Sequence, residues 1–556
     1  MIRNGGQLLV ECLLALGASK SFGVPGESYL AVLDALHDTA GRLDFVLCRN
    51  EGGAAFMAAA YGKLTGSPGI CFVTRGPGAT NASIGVHTAM QDSSPMILFV
   101  GQVGTDMKGR EAFQEIDYRA VFGTVAKWAV EIDDVARLPE TVARAWTTAT
   151  TGRPGPVVIA LPEDMLTNLT EAPVLGGPAR ISEPAAGTEA LTEAQAILSQ
   201  ARRPLLLIGG ANWSEEGRVA LQAFAEASDI PVVAAFRFMD QFDNGSSCFV
   251  GEAGVGMLPH VKTLISDADV IFAINVRFGE MTTDGYSLLA VPEPKQKLIH
   301  VHGSNREIGK IYVPTLGIQA APNAVAKALS PVKGDWAEWR ATARKSYEAS
   351  FDAPIQPSPV DMVEVSRWLR ETLPEDVILT NGAGNFTVWP NKFFKFGPKA
   401  RLLAPQSGAM GYGLPAAIAA KVAFPSRTVV CFAGDGDFQM NCQELGTAMQ
   451  AGAQPIVLVL NNGIYGTIRA HQERHFPARV SGTTLENPDF VGLAKAYGFH
   501  AEKVSATVEF PAAFQRALAS GTGAVLELDI SPEALTPRQT LSQIRAAALA
   551  SQKANP

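Results

Sequence analysis

The 556-residue sequence has few cysteines, no long apolar run and no cluster of basic residues. Its six cysteines are scattered and form no C-x-x-C pair, so we expect free, buried thiols in a reducing cytoplasm. No uninterrupted apolar stretch reaches eighteen residues, which argues against a membrane span. The 46 basic and 54 acidic residues give a net charge of −8. Without a basic stripe to neutralise phosphates, nucleic acid is excluded as the main partner.

The first twenty residues, MIRNGGQLLVECLLALGASK, also lack the features of a signal peptide. Glu11 interrupts their apolar residues, and no cleavage-type flank follows. The pattern predicts an amphipathic helix. Together with the missing membrane span, it leads us to expect a soluble, cytoplasmic protein.

What the sequence does contain is typical of a well-packed globular protein with several cores. Hydrophobic residues make up 47% and charged residues 18%, with 53 glycines and 35 prolines. This composition excludes a disordered or fibrous chain. At about 150 residues per domain, the length predicts three to four domains.

Short apolar runs alternate with longer helical patterns along the whole chain, among them ICFVT, MILFVG, LLLIGG, VVCFAG and PIVLVLNN. This alternation predicts an α/β fold with doubly wound parallel sheets covered on both faces. Stretches rich in Pro, Gly and Ala at 172–187 and roughly 330–360 indicate linkers. We therefore expect three domains, at 1–171, 188–329 and 358–535, and a C-terminal tail at 536–556 with a peripheral helix and a frayed end.

A metal and diphosphate site is predicted in the last third, where GDG is followed after 24 residues by NN. A strand, a helix and a second strand of this length make the two strands parallel, so Asp435 and Asn462 converge at one sheet edge. With a backbone carbonyl near Ile464 they offer hard oxygen ligands for Mg²⁺ or Ca²⁺. Gly434 and Gly436 allow close approach, and the amides that open the next helix favour an anion such as a diphosphate.

The GDG and NN motifs, together with FGVPGES, RNEGGAAFMAAAYGKLTG, TRGPGATN, FQEID, GRPGPVVIALP and SGAMGYGLPAAIAA, extend over nearly the whole chain. In these stretches the sequence resembles the acetolactate synthase branch of the thiamine diphosphate-dependent decarboxylases and carboligases. The resemblance implies thiamine diphosphate and Mg²⁺ as cofactors. It also implies a pyrimidine-binding domain, a middle domain and a diphosphate-binding domain, in that order.

Glu51 is the first catalytic candidate. From the residues alone, a glutamate at this position is usually an acid that stabilises a helix N-terminus. By resemblance, Glu51 matches the glutamate that hydrogen-bonds the aminopyrimidine ring of the cofactor and activates it by protonating a ring nitrogen. The resemblance further implies that Glu51 and the GDG site of one active centre belong to different subunits, so the minimal unit would be a homodimer, often paired into a homotetramer.

Other candidates are carried by resemblance alone. Met410, which could otherwise fill a gap in the core, matches the residue that holds the cofactor bent, and the Gly408 carbonyl would accept from its amine. Pro77, Asn81 and Gln114 match positions that line the cofactor and the reacting carbon, and Phe113 would shape the acceptor pocket. Further positions close to the diphosphate or the metal are matched by Asn385, Asp437, Gly466 and Thr467.

The sequence departs from acetolactate synthases at positions near the substrate. Arg277 matches an arginine that can hold the acceptor carboxylate, or it forms a surface salt bridge. Glu163 stands where a lysine is usual, and His471 replaces a tryptophan that helps to select the acceptor. His471 and His475 lie four residues apart, but HQERH lacks the glutamate of H-E-x-x-H, so we do not expect zinc.

The ligand of the middle domain is left open. Family members often hold FAD there, and Arg153, Gly209 and Gly210 match such a site. However, His302 and Ser304 replace two acids, and a carboxylate commonly grips a nucleotide ribose. FAD, an ADP or CoA moiety, and an empty cleft are the three alternatives.

The resemblance therefore implies an enzyme that decarboxylates a 2-oxoacid such as pyruvate and joins the product to a second carbonyl compound. The alternative is a lyase of the same superfamily, either a 2-oxoacid decarboxylase or a 2-hydroxyacyl-CoA or oxalyl-CoA enzyme. The donor, the acceptor and the binding of a small regulatory subunit are not determined by the sequence.

Overall fold

Three six-stranded parallel sheets, one in each third of the chain, form the framework of the protein. The structure is a computed structural model that describes residues 2–554, so Met1 and the last two residues of the predicted tail lie outside the described residues. The central strands are buried on both faces, because helices cover each sheet on both sides. The predicted α/β class with three doubly wound parallel sheets is confirmed.

The N-terminal third contains the first parallel sheet and a short antiparallel pair. Its strands are β1 Arg3–Asn4, β2 Lys20–Gly23, β3 Asp44–Leu47, β4 Gly69–Val73, β5 Met96–Gln102, β6 Trp128–Glu131, β7 Pro156–Pro162 and β8 Leu169–Thr170. Its helices are α1 Gly5–Ala15, α2 Leu30–His37, α3 Glu51–Thr65, α4 Gly76–Asp92, α5 Tyr118–Phe122, α6 Leu138–Thr150 and α7 Glu163–Thr167, with 3-10 turns at Glu27–Tyr29, Thr105–Met107 and Val135–Arg137.

The middle third contains the second sheet. Its strands are β9 Pro204–Ile208, β10 Val232–Ala235, β11 Phe249–Ala253, β12 Val270–Ile274, β13 Lys297–His302 and β14 Leu316–Gln319. Its helices are α8 Thr188–Ser199, α9 Glu215–Ala227, α10 Pro259–Asp267, α11 Pro322–Ala328 and α12 Ala337–Ala349, with a 3-10 turn at Met239–Gln241.

The C-terminal third contains the third sheet. Its strands are β15 Ile378–Asn381, β16 Arg401–Leu403, β17 Val429–Gly434, β18 Ile456–Asn461, β19 His500–Val504 and β20 Ala524–Asp529. Its helices are α13 Met362–Thr372, α14 Gly413–Ala423, α15 Asp435–Gln439, α16 Leu445–Gln450, α17 Gly466–His475, α18 Phe490–Ala496, α19 Phe510–Ala519 and α20 Leu541–Ala554, with 3-10 turns at Asn385–Thr387, Cys442–Glu444 and Thr507–Glu509 and a π-helical turn at Trp389–Phe393.

The first and third sheets share one topology, and the middle sheet has another. The strand orders β3-β2-β4-β5-β7-β6 and β16-β15-β17-β18-β20-β19 are the same pattern, whereas the middle sheet runs β11-β10-β9-β12-β13-β14. Beside β4, β17 and β12 respectively, the order in which strands are added switches from one side of the sheet to the other. Ligands of open α/β sheets bind beyond the carboxyl ends of the strands at such switch points.

The two predicted linkers differ. Residues 172–187 contain no helix or strand, as expected. The stretch 330–360 is not a linker throughout, because it contains α12. Trp336 is buried and donates to the Ala201 carbonyl, and Ala343 and Tyr347 pack into the core of the middle third. Composition alone missed this helix, since its apolar face consists of only a few residues.

The first and last thirds share a core formed by α3, α4 and α14. Alanines and glycines let these helices approach closely, and the rings of Phe56 and Tyr412 meet edge to face at 5.4 Å. All six cysteines are free, and five are buried. None of the helices within residues 2–554 is both long and apolar enough to cross a membrane.

Candidate active site

A cavity of about 200 Å³ lies at the carboxyl edge of the third sheet. Its walls come from the ends of β17 and β18, from the start of α17 and from two glycine-rich loops. All of the cofactor and metal residues predicted in the last third line it: Asn385, Gly408, Met410, Gly434, Asp435, Gly436, Asp437, Asn462, Ile464, Gly466 and Thr467.

The local sequence explains this convergence. β17 and β18 are adjacent and parallel, with Gly434 paired to Leu460, so the residues that follow both strands emerge side by side. α15 begins at Asp435 directly after β17, without a connecting loop. A side chain at Gly434 would contact the ring of Phe386, and one at Gly436 would contact Tyr465. Both positions therefore need glycine for the turn to close around the cavity.

Asp435 is buried, with 3% of its surface exposed, although no basic side chain pairs with it among the described residues. Its Oδ1 accepts from Gly436 N at 2.9 Å, and its Oδ2 accepts from Gly463 N at 2.7 Å. Burial raises the pKa of Asp435 in spite of these hydrogen bonds. A buried carboxylate with this environment is suited to a cation.

Asn487 was missed by the sequence reasoning. Its Nδ2 donates to Asp435 Oδ2 at 2.8 Å and to Asn461 Oδ1 at 2.8 Å, which holds the carboxylate beside the end of β18. Asn487 lies 52 residues after Asp435 in an irregular segment. No motif marks it, so only the folded chain reveals the contact.

The donor set at this edge fits Mg²⁺. Asp435, Asn462 and the Ile464 carbonyl are hard oxygen donors on one loop system, and Asn462 Oδ1 accepts from Ile464 N at 3.1 Å. Ile464 packs in a small cluster with Leu541 and Ile544 of α20, so the C-terminal helix supports this loop. Among residues 2–554 no group of three or more His, Cys, Asp or Glu side chains is placed to hold a metal ion.

Asp437 holds the loops on the opposite wall. Its Oδ1 accepts from Ala383 N at 3.1 Å and from Gly411 N at 2.9 Å. Burial raises the pKa of Asp437 to about 7, although the two backbone N–H groups and Arg237 act in the opposite direction. Through Gly411 this side chain fixes the place of Met410 in the cavity wall.

The candidates of the first third form a second cluster, at the carboxyl edge of their own sheet. Glu51 opens α3, and its Oε2 accepts from Asn81 Nδ2 at 2.9 Å. Pro77 and Asn81 lie on α4, and the loop that carries Phe113 and Gln114 is tied to its start, since the Gln114 carbonyl accepts from Gly76 N at 2.9 Å.

Arg75 joins this second cluster, although sequence reasoning did not single it out. Its guanidinium pairs with Glu163, which explains the acid found at that position, and donates to the Phe113 carbonyl. Arg75 is buried, with 9% of its surface exposed, and its Nε has no hydrogen-bond partner. Arg75 therefore supports the exposed Phe113 loop from beneath.

Within one chain the two clusters stay apart. None of the predicted residues of the first third lines the cavity of the last third. Pro77, Asn81, Ile84 and His87 are exposed along one face of α4, and Phe113 is 71% exposed. The second cluster thus faces outward.

The two substrate candidates lie outside both clusters. Arg277 donates to the Gln91 carbonyl at the far end of α4, about 20 Å from Pro77 at 1.5 Å per residue. His471 lies on α17, exposed and outside the cavity lining, with its ring stacked on that of His475. A substrate role of either residue stays a prediction.

The carboxyl edge of the middle sheet does not fit FAD. Arg153 pairs with Glu307 at 2.9 Å, so its charge is already balanced. Gly210 faces the side chain of Asn275, which donates to the Ala211 carbonyl and fills the place where a phosphate would approach the glycine loop. His302 is buried and uncharged at neutral pH, because burial lowers its pKa to about 4.

A larger cavity of about 520 Å³ lies nearby, between the three domains. The three residues that matched a flavin site, Arg153, Gly209 and Gly210, do not line it, and neither do His302 and Ser304, which depart from such a site. Their neighbours Gly152, Ala211 and Gly303 do line it. We therefore assign no chemical step to FAD.

Comparison with known proteins identifies the family. Three models of the thiamine pyrophosphate enzyme family match the chain: the N-terminal TPP binding domain over residues 3–121, the central domain over 191–329 and the C-terminal TPP binding domain over 382–528. Thiamine pyrophosphate (TPP) is another name for thiamine diphosphate.

Relatives match over most of both chains. The chain is 31% identical over 533 residues to the acetolactate synthase isozyme 2 large subunit of Escherichia coli, which covers 95% of each chain. It is 33% identical over 506 residues to the acetolactate synthase large subunit of Lactococcus lactis, covering 89% of this chain and 87% of the relative. A probable acetolactate synthase large subunit of Methanocaldococcus jannaschii is 32% identical, with 96% and 93% covered. The chain therefore belongs to the thiamine pyrophosphate enzyme family and is similar over nearly its full length to acetolactate synthase large subunits.

Proposed function

We propose that this enzyme decarboxylates a 2-oxoacid such as pyruvate and joins the product to a second carbonyl compound, as an acetolactate synthase-like carboligase that depends on thiamine diphosphate and Mg²⁺. The observation that carries the proposal is the cavity beyond β17 and β18, which collects a buried carboxylate, an amide, glycine-rich turns and Met410. The similarity to acetolactate synthases supports the choice of reaction.

In this proposal Asp435, Asn462 and the Ile464 carbonyl hold Mg²⁺, and the backbone at Gly434 and Gly436 receives the diphosphate. Thr467 and Gly466 at the start of α17 add N–H groups that favour an anion. Met410 and Gly408 position the two rings. When bound, thiamine diphosphate supplies the nucleophilic carbon and the electron sink for decarboxylation.

Glu51 holds a proton at the pyrimidine ring nitrogen in this proposal. Its contact with Asn81 orients the carboxyl group at the start of α3. Gln114 and Phe113, on the loop anchored to Gly76, face the reacting carbon and exclude water from the acceptor.

The active unit we propose is a homodimer, which can pair into a homotetramer. The outward-facing cluster around Glu51 and the separate cavity of the same chain each lack the other half of a site. A second copy that covers the exposed face of α4 would complete both. Light scattering of the protein after size exclusion, with and without cofactors, measures the state, and an active monomer contradicts the proposal.

The test of Glu51 is the variant Glu51→Gln. Turnover should fall at least about 100-fold, because a glutamine cannot deliver a proton, whereas the rise in melting temperature on adding thiamine diphosphate and Mg²⁺ should persist. Glu140→Gln is a matched control, since Glu140 is an exposed acid in the first turn of α6. Full activity of Glu51→Gln would refute the assigned role.

Product analysis tests the reaction. Pyruvate and a panel of short 2-oxoacids are incubated with the protein, thiamine diphosphate and Mg²⁺, and CO₂ and organic products are measured by mass spectrometry. A coupled 2-hydroxy-2-methyl-3-oxoacid is expected from pyruvate. Release of an aldehyde from a 2-oxoacid, or of formyl-CoA when oxalyl-CoA is supplied in a separate reaction, would instead identify the lyase alternative. No turnover with any 2-oxoacid would contradict the carboligase proposal.

A further inference from the structure

Glu444 connects the last third of the chain to the start of the helix that carries Glu51. It ends the 3-10 turn Cys442–Glu444 and has none of its surface exposed. Its Oε1 accepts from Asn50 N at 2.9 Å, and both carboxylate oxygens lie 3.2 Å from Arg49 N. Thr447 donates its hydroxyl to Oε2 at 2.5 Å. The carboxylate therefore receives hydrogen bonds on both oxygens.

The two amides that Glu444 accepts from directly precede Glu51. Asn50 is the N-cap of α3, and its Oδ1 accepts from Gly52 N at 2.8 Å. Glu51 is the next residue, and its side chain is oriented by Asn81. Glu444 thus fixes the backbone on one side of Glu51, while Asn50 fixes it on the other.

The neighbouring residues leave room for this contact. A Cβ at Gly53 would lie 2.5 Å from Glu444 Oε1, so only glycine leaves the carboxylate in place. The Arg49 guanidinium donates to the Gly446 carbonyl and to Gln450 Oε1, just beyond Glu444. Side chains and backbone of both thirds are therefore fitted to one another at this point.

The chemistry favours a carboxylate here. The N–H groups at a helix start have no partner within the helix and carry partial positive charge, which a carboxylate complements. A glutamine of the same shape would turn its NH₂ group towards one of these donors or towards Thr447 and would lose an acceptor. The amide variant therefore keeps the volume and changes only the charge and the hydrogen bonding.

We propose that Glu444 is a positioning residue that holds the first turn of α3 and thereby sets the place of Glu51 against the cofactor. This inference rests on the role of Glu51 in the proposed function. Glu444 lies only nine positions after Asp435 in the sequence. In the proposed homodimer, Glu444 thus joins the cofactor site of its own chain to the glutamate that serves the partner's cofactor.

The experiment measures deuterium exchange of the thiazolium C2 proton of bound thiamine diphosphate by quenched-flow NMR, together with kcat and cofactor affinity. Glu444→Gln should slow exchange and turnover about 30-fold, because a displacement of about 1 Å is costly in catalysis. Cofactor affinity should stay within about threefold, since the diphosphate site is untouched. Glu444→Asp, which keeps the charge, should recover most of the loss.

Asp361→Asn is the matched control. Asp361 is also a buried carboxylate, 5% exposed, that accepts backbone N–H groups at a helix start, from Val363 at 2.8 Å and Gln356 at 3.0 Å. It lines neither cavity. Its substitution should lower the melting temperature and leave C2 exchange unchanged.

Gly53→Ala keeps the inference testable if Glu444→Gln does not fold. The added Cβ displaces Glu444 without changing its charge, and exchange should slow severalfold. Unchanged exchange in a folded Glu444→Gln or, where that variant does not fold, in Gly53→Ala would overturn the inference. Glu51→Gln separates the two hypotheses, because exchange that survives in that variant refutes the role of Glu51 itself.

Discussion

The carboxyl edges of the middle and C-terminal sheets differ in how their polar groups are satisfied. At the C-terminal edge, Asp435 is buried beside a cavity and receives only N–H groups. At the middle edge, Glu307 pairs with Arg153 at 2.9 Å, and Lys310 and Arg277 lie within 3.9 Å. The C-terminal edge therefore holds a carboxylate without a basic partner among residues 2–554, whereas the carboxylate of the middle edge is paired with basic side chains.

The pKa shifts of the two carboxyl groups have opposite signs. Burial raises the pKa of Asp435, because the protein supplies no cation to offset desolvation. Burial would also raise the pKa of Glu307, but Arg153, Arg277 and Lys310 outweigh it and lower the pKa below its ordinary value. Within the described chain, the carboxyl edge of a parallel sheet therefore holds a buried carboxylate without a basic partner in one domain and an internal salt-bridge cluster in the other.

Asp435→Asn removes the buried carboxylate of the C-terminal edge and has the largest expected effect on cofactor binding. Without the carboxylate, affinity for thiamine diphosphate with Mg²⁺ should fall at least about 100-fold, which removes about 2.7 kcal/mol of ligand-induced stabilisation. The apo variant should melt at a lower temperature, because both oxygens of Asp435 accept N–H groups and the asparagine loses one acceptor. Thermal melts with and without both cofactors measure each effect, and an undiminished cofactor shift would contradict the assignment.

Glu307→Gln should destabilise the apo protein while cofactor binding is kept. Removing the acid leaves the buried Arg153 guanidinium without its partner, and such a loss costs about 3–5 kcal/mol. Urea unfolding of the apo protein should detect it in the transition of the middle domain. The melting shift caused by thiamine diphosphate and Mg²⁺ should be kept, and its loss would show that the two edges are coupled.

The sequence predicted the C-terminal edge well because its determinants are local. Asp435 and Asn462 follow adjacent strands of one crossover, so strand pairing alone brings them together. Gly434 and Gly436 mark the turn between strand and helix. The roles of Asn487 and Glu444 were not predicted, because each residue contacts a distant part of the sequence that only the tertiary fold brings close.

The middle edge was harder to predict for the same reason. His302 and Ser304 mark a departure from the acidic positions of the family, but nothing in the sequence pairs Arg153 with Glu307, 154 residues away. Likewise, the helix α12 was hidden in a stretch whose composition indicates a linker. Composition indicates only the local flexibility of the chain, whereas the burial of Trp336 in the core of the middle domain holds this segment in place.

His302 sharpens the comparison through a smaller, pH-dependent effect. Burial and the neighbouring His300 lower its pKa to about 4, whereas the unfolded chain has an ordinary value near 6.5. The folded state therefore binds fewer protons than the unfolded state, and the stability present above pH 6.5 is lost as the pH falls towards 4. His302→Asn, which can still accept from Ser304 N, should remove this dependence. Unfolding by urea should show the variant gaining about 2 kcal/mol over the wild type at pH 4.5, relative to their difference at pH 7.5. Parallel pH profiles of the two proteins would mean that His302 is already accessible to protons, and the middle edge would then be open to solvent rather than closed on itself.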